Sequence, residues 1–101
     1  MGKVSRTEFI KNVSTRSGFS EEDTIKFYDA FIKEIEETMR QGKSLTLTGF
    51  GNFFIAKHKG HPVQFSKEEL KDYVVFKFSC SNVLNKKFRD EYEKGLLKVK
   101  D

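Results

Sequence analysis

Leu45-Thr46-Leu47-Thr48-Gly49-Phe50-Gly51-Asn52-Phe53 is the stretch from which the rest of the chain is read. Before Gly42, apolar residues recur at steps of three and four. From Ser44 onward Leu45 and Leu47 alternate with Ser44, Thr46 and Thr48, so the repeat falls from about 3.6 residues to about 2. The change marks a passage from helix to half-buried strand. Gly49 and Gly51 on either side of Phe50 suit a tight turn between strands, where a positive φ or a close backbone approach excludes a Cβ. Asn52 to Ala56 then resumes as a β-rich run through Phe53, Phe54 and Ile55.

Towards the N-terminus, Ser5-Arg6-Thr7-Glu8 has the form of a capping box, and Phe9, Ile10 and Val13 follow on one face. Gly18 supplies the left-handed residue that ends such a helix. Ser20 begins a second helix, with Glu21, Glu22 and Asp23 in the first turn, where the helix dipole favours negative charge. Tyr28, Phe31, Ile32, Ile35 and Met39 recur along it, and Phe27 and Ala30 widen the stripe. Nothing polar converges on this face, so it reads as packing surface and not as a cofactor pocket.

Towards the C-terminus, Lys57-His58-Lys59-Gly60-His61-Pro62-Val63-Gln64-Phe65 is polar, basic and holds the one proline, which suits the tip of a protruding hairpin. Ser66 to Asp72 contains good helix formers, whereas Tyr73 to Phe78 returns to strong β-propensity, so the descending limb is locally ambiguous. Ser81 can cap a third helix in which Leu84, Phe88 and Tyr92 share a face, Lys86, Lys87 and Arg89 project elsewhere, and Gly95 ends the run. The expected organisation is one domain, 1–101: a helical base (1–43), a sheet and arm (44–78), a C-terminal helix (79–95) and a tail (96–101). No internal repeat or linker interrupts it.

The composition narrows the function. The 101 residues include 11 Phe and no Trp, an aromatic load large for a chain that buries only about two-thirds of its surface. A partner subunit is the natural cover. Cys80 stands alone, so neither an intramolecular disulfide nor a cysteine-rich zinc site is available, and a reducing compartment is expected. His58 and His61 lack further soft ligands beyond Cys80, so no metal site is expected. No apolar run approaches the ~18 residues of a membrane helix, and the N-terminus lacks a secretory pattern; a soluble, intracellular protein without a membrane partner is expected. The carboxylates sit at helix starts or among lysines, and Cys80 has no activating neighbour in sequence. Neither an enzyme, nor a cofactor, nor a small-molecule substrate is therefore expected.

The net charge is +4, unevenly placed. Residues 1–56 carry eight basic and eight acidic side chains, residues 57–77 five against three, and residues 78–101 six against four. Cationic excess confined to one part of a small domain is the footprint of a polyanion binder. Lys outnumbers Arg 15 to 4, which fits neutralisation of phosphates better than bidentate reading of bases.

Taken together, Thr7-Glu8-Phe9-Ile10, Gly18, Gly42, the Gly49-Phe50-Gly51 turn, the Gly60-His61-Pro62 tip and the spacing of Phe78, Ser81 and Leu84 resemble the bacterial HU and integration host factor family over residues 4 to 90. The resemblance implies an α+β fold: two N-terminal helices, a three-stranded antiparallel sheet with a protruding β-arm, and a short C-terminal helix, assembled as an intertwined homodimer. It also implies binding of double-stranded DNA, with the arms in the minor groove and a tip proline wedged between base steps. Carried over by position, Pro62 is the wedge, Lys57, Lys59 and Lys77 meet phosphates from the arm beside His58 and His61, and Lys86 and Lys87 meet them at the base. Phe31, Ile35, Leu47, Phe50, Phe53 and Phe78 are expected in the core or dimer interface.

The implied role is that of a cytoplasmic, nucleoid-associated protein that binds, bends and compacts DNA with low sequence specificity. Two alternatives stand beside it: site-specific bending, as by integration host factor, and a dimeric interaction protein with an impaired arm that pairs with a related family member. The second has its warrant in departures from the family pattern. Gly60-His61 replaces the usual Arg-Asn before the tip proline, the ascending limb is shorter, and Val63-Gln64-Phe65 and Glu68-Glu69 follow where a Thr-Gly-Glu turn and an Ile-Pro are usual. All of these fall in the arm and leave the body intact.

Overall fold

The structure, a computed structural model, describes residues 2–60 and 71–99. Helices α1 (Arg6–Ser17) and α2 (Glu21–Arg40) are followed by strands β1 (Leu45–Leu47), β2 (Gly51–His58) and β3 (Tyr73–Cys80) and by helix α3 (Asn82–Glu93). The α+β class and the element order expected from the sequence are both present. The chain groups into two compact units, Met1–Glu37 and Thr38–Asp101.

In the first unit the caps act where the sequence places them. Ser5 Oγ accepts the Glu8 amide at 3.1 Å, and Gly18, at φ +80°, turns its amide onto the Ser14 carbonyl. Ser20 Oγ in turn accepts the Asp23 amide at 3.1 Å and opens α2. The Arg6 guanidinium joins the two helices: it donates to Asp29 Oδ1 at 3.1 Å and lies 5.0 Å from the centre of the Tyr28 ring. Ile10 and Ile35 are buried, at 4% and 8% exposure. Beside Ile10 an apolar cavity of about 400 Å³ opens between Phe9, Val13, Phe19, Phe27 and Phe31.

In the second unit the strands form an antiparallel sheet in the order β1-β2-β3. The period-2 alternation decides its two faces. Leu45 pairs with Phe53, Leu47 with Gly51, Phe53 with Phe78 and Ile55 with Phe76, which gathers the apolar side chains on one side. Thr46, Asn52 and Ser79 stand in register on the other, and the Thr46 hydroxyl donates to Asn52 Oδ1 at 2.9 Å.

The two turn glycines have different reasons. Gly49 has φ +82°, which an L side chain rarely adopts. Gly51 has an ordinary backbone but no space: a Cβ there would collide with the Phe78 ring and stand 2.6 Å from the Ser79 carbonyl oxygen. The turn closes through the Phe50 amide and the Leu47 carbonyl at 2.9 Å. The Phe50 carbonyl then accepts the Ser81 amide at 3.0 Å, so the start of α3 is tied to the turn. Ser81 Oγ accepts the Leu84 amide as the expected cap, and the helix stops ahead of Gly95 at φ +74°.

Two boundaries move. β2 continues through Lys57 and His58, which the sequence assigns to the tip, because each has a partner across the ladder in Val74 and Tyr73. β3 likewise runs past Phe78 to Cys80, since Ser79 and Cys80 pair with Asn52 and Gly51. The tip residues His61 and Pro62, and the ambiguous limb from 66 to 70, lie outside the described residues.

Replacing Gly51 by Ala is expected to destabilise the protein by about 1–3 kcal/mol through overpacking. Gly2→Ala, which meets nothing within 4 Å, should change stability by less than about 0.5 kcal/mol. Urea unfolding of both variants checks the pair; a Gly51→Ala variant as stable as the parent contradicts the close approach.

Candidate nucleic-acid interface

Past Phe53 the sheet loses its third strand. β1 pairs only with residues 51–53, whereas the β2–β3 ladder continues from Phe54↔Lys77 to His58↔Tyr73. Five successive pairs thus form a two-stranded ribbon, reaching about 17 Å beyond the three-stranded body at the usual rise per residue. This ribbon is the root of the arm expected from the sequence.

The ribbon distributes the expected site residues over both faces. His58 and Lys77 fall on the face of Phe54 and Tyr73; Lys57 falls on the face of Ile55, Val74 and Phe76. The His58 ring stacks on Tyr73, 5.2 Å between centres with 18° between planes, which spaces the last pair of the ladder. Lys59 is exposed just beyond it, and Lys77 is exposed in mid-ribbon. Lys86 and Lys87 are exposed on α3, within the same compact unit as the ribbon. The lysines are therefore solvent-facing, and the sheet holds Lys57 and Lys77 at fixed register.

One residue outside the expected set belongs here. The Asp72 carboxylate accepts the Gly60 amide on Oδ1 at 2.9 Å and faces Lys57 Nζ from Oδ2 at 3.6 Å. An Asp that follows Glu68, Glu69 and Lys71 has no periodic signal that would single it out, because the contact depends on the cross-strand register. At the other end of the sheet, Thr46, Asn52 and Ser79 line a shallow recess of about 300 Å³ with Leu47, Ser81 and Asn82. Among the described residues no three His, Cys, Asp or Glu side chains converge on one point, and no helix is long and apolar enough to cross a membrane.

The residues expected in the core or interface divide as well. Phe50, Phe53 and Phe78 form one aromatic cluster: Phe78 lies 5.3 Å from Phe50 and 4.8 Å from Phe53, and Phe53 stacks on Phe76 at 5.7 Å. Leu47 and Phe53 are half-buried and Ile35 is buried, but Phe31, Phe50 and Phe78 remain exposed in the single chain. So do Val74, at 64%, and Phe76. Among the described residues nothing completely covers the aromatic face of the sheet.

A two-helix unit followed by an antiparallel sheet with a basic ribbon and a capped C-terminal helix is the architecture of an arm-bearing DNA-binding protein. The family model described as bacterial DNA-binding protein matches residues 4–89, and the chain belongs to that family, which includes HU and integration host factor and is not a family of enzymes. DNA-binding protein HU of Geobacillus stearothermophilus is 38% identical over 68 residues, covering 64% of this chain and 76% of that protein. Integration host factor subunit alpha of Anaeromyxobacter sp. (strain K) is 28% identical over 100 residues, covering 91% and 88%. Among solved structures, HU in an Anabaena HU–DNA cocrystal superposes with a TM-score of 0.71 at 23% identity, over 82% of this chain and 95% of that one. At that identity the superposition speaks for the fold alone.

Proposed function

We propose that this chain is an architectural protein of double-stranded DNA that works as a homodimer, binding, bending and compacting the duplex with little regard to sequence through the minor groove. The observation that carries the reading is the two-stranded, lysine-bearing ribbon beyond Phe53, in a chain matched to the bacterial DNA-binding family over 4–89. Lysines at fixed register along a ribbon displace counterions condensed on a phosphate backbone, a gain that grows with the number of contacts and is blind to base sequence. The exposed aromatic face supports the homodimer, since a second copy offers a surface of matching chemistry. The whole chain would then act as one DNA-binding module, on the nucleoid.

The parts divide the work. Lys57, Lys59 and Lys77, with His58 and His61 beside them, would supply contacts from the arm, and Lys86 and Lys87 contacts from α3. Pro62 would act as the apolar wedge that kinks the duplex at the arm tip. Ile35 and the faces carrying Phe31, Leu47, Phe50, Phe53 and Phe78 would meet the partner copy.

Two variants test this division. Lys86→Ala with Lys87→Ala is expected to weaken binding about tenfold or more, evenly across duplexes of different sequence, and to lower the slope of log affinity against log salt by about two per protomer, about four for the homodimer. Fluorescence anisotropy over a salt series checks it; unchanged affinity and slope would leave α3 a solvated face. Pro62→Ala should reduce the bend measured by energy transfer between dyes at the ends of a short duplex, at saturating protein. Its low-salt affinity should fall by less than about threefold, because phosphate contacts supply most of that affinity. Equal bending by the two proteins would remove Pro62 as a wedge.

A further inference from the structure

Asp72 holds two groups at the root of the arm. Asp72 follows the segment that leads back from the tip, immediately before β3, and its two carboxylate oxygens have separate partners: Oδ1 takes the Gly60 amide at 2.9 Å, and Oδ2 the Lys57 ammonium at 3.6 Å. The first is a neutral donor with a fixed direction, closing the chain across the ribbon one step beyond the stacked pair of His58 and Tyr73. The second is an ion pair on a long side chain. Both of its members are open to solvent, at 69% and 52% exposure.

We propose that Asp72 is an internal competitor of the DNA phosphate for Lys57, and so a residue that sets the affinity and salt sensitivity of the arm. The inference rests on the DNA-binding reading. An exposed pair is weak and screened by salt, so a duplex, with one negative charge per roughly 1.7 Å of its axis, takes the ammonium from a single carboxylate. The exchange has a cost that other lysines do not carry. Lys57 gives up one anion to gain another, and the Asp72 carboxylate, still held by the Gly60 amide, is left facing the phosphates without its counterion. Lys57 therefore adds less to binding than its position on the arm implies. Unspecific affinity is held down while the arm root stays ordered.

Asp72→Asn separates the two roles, because the amide keeps an acceptor for Gly60 and loses the charge. In anisotropy titrations of the full chain on a 30-base-pair duplex at about 0.1 M salt, this variant is expected to bind about three- to tenfold more tightly and to steepen the salt slope by about one for each arm on the duplex. The gain should disappear when Lys57→Ala is added, since the freed ammonium is its source. Hydrogen exchange at the Gly60 amide should remain as slow in Asp72→Asn as in the parent, and become faster in Asp72→Ala. A parent that binds duplex while Asp72→Asn matches it in affinity and slope overturns the inference and leaves the DNA reading standing. The same gain with Lys57→Ala present also overturns it, because the effect would then be general repulsion by a carboxylate. A parent that binds no duplex overturns the DNA reading and this inference together.

Discussion

The constraint on which this structure depends is the covering of its aromatic side chains. Among the described residues no large side chain is fully buried, in a sequence with 11 Phe. In the first unit Phe9, Phe27 and Phe31 stand around an open apolar cavity, with Phe27 at 64% exposure. In the second, Phe50, Phe76 and Phe78 lie on a sheet face that none of the described residues fully covers. Full burial of a Phe is worth about 1.5–3 kcal/mol, and a small domain is stable by only about 5–15 kcal/mol. Several half-exposed Phe rings leave unrealised a contribution as large as the net stability of the fold, which the second copy of the proposed homodimer would supply.

The same sheet also sets the direction of the arm. Phe78 sits against the bare backbone of Gly51, and that close approach lets β3 run on to Cys80, where the Ser81 amide meets the Phe50 carbonyl and α3 begins. From the other end of the register, the ladder continues past the end of β1 as a ribbon of five pairs. One pairing scheme thus places the aromatic face, the ribbon with Lys57 and Lys77, and the start of the helix with Lys86 and Lys87. Because side-chain direction alternates along a strand, a slip of β3 by one residue would turn Phe76 and Phe78 away from Phe53 and carry Lys77 onto the face they had left.

Much of this was legible in the sequence because it was written in local chemistry. Ser5, Ser20 and Ser81 cap their helices, Gly18 and Gly95 end two of them, and the change of period after Gly42 marks the first strand, all through interactions within a few residues. Gly49 and Gly51 were readable as a turn, but the difference between them was not, since one answers to its own φ and the other to a ring 27 positions away. Lys57 and His58 looked like tip residues because basic side chains carry no alternating pattern; only their partners Val74 and Tyr73 make them strand. Asp72 was invisible for the same reason, as its partners Gly60 and Lys57 become neighbours only when the ribbon has formed.

If the aromatic faces require a second copy, sedimentation equilibrium of the chain without DNA at micromolar concentration will show a single folded species of twice the 11.8 kDa chain mass, with no folded monomer at any concentration where secondary structure persists. A folded species of 11.8 kDa, stable at micromolar concentration, would contradict it.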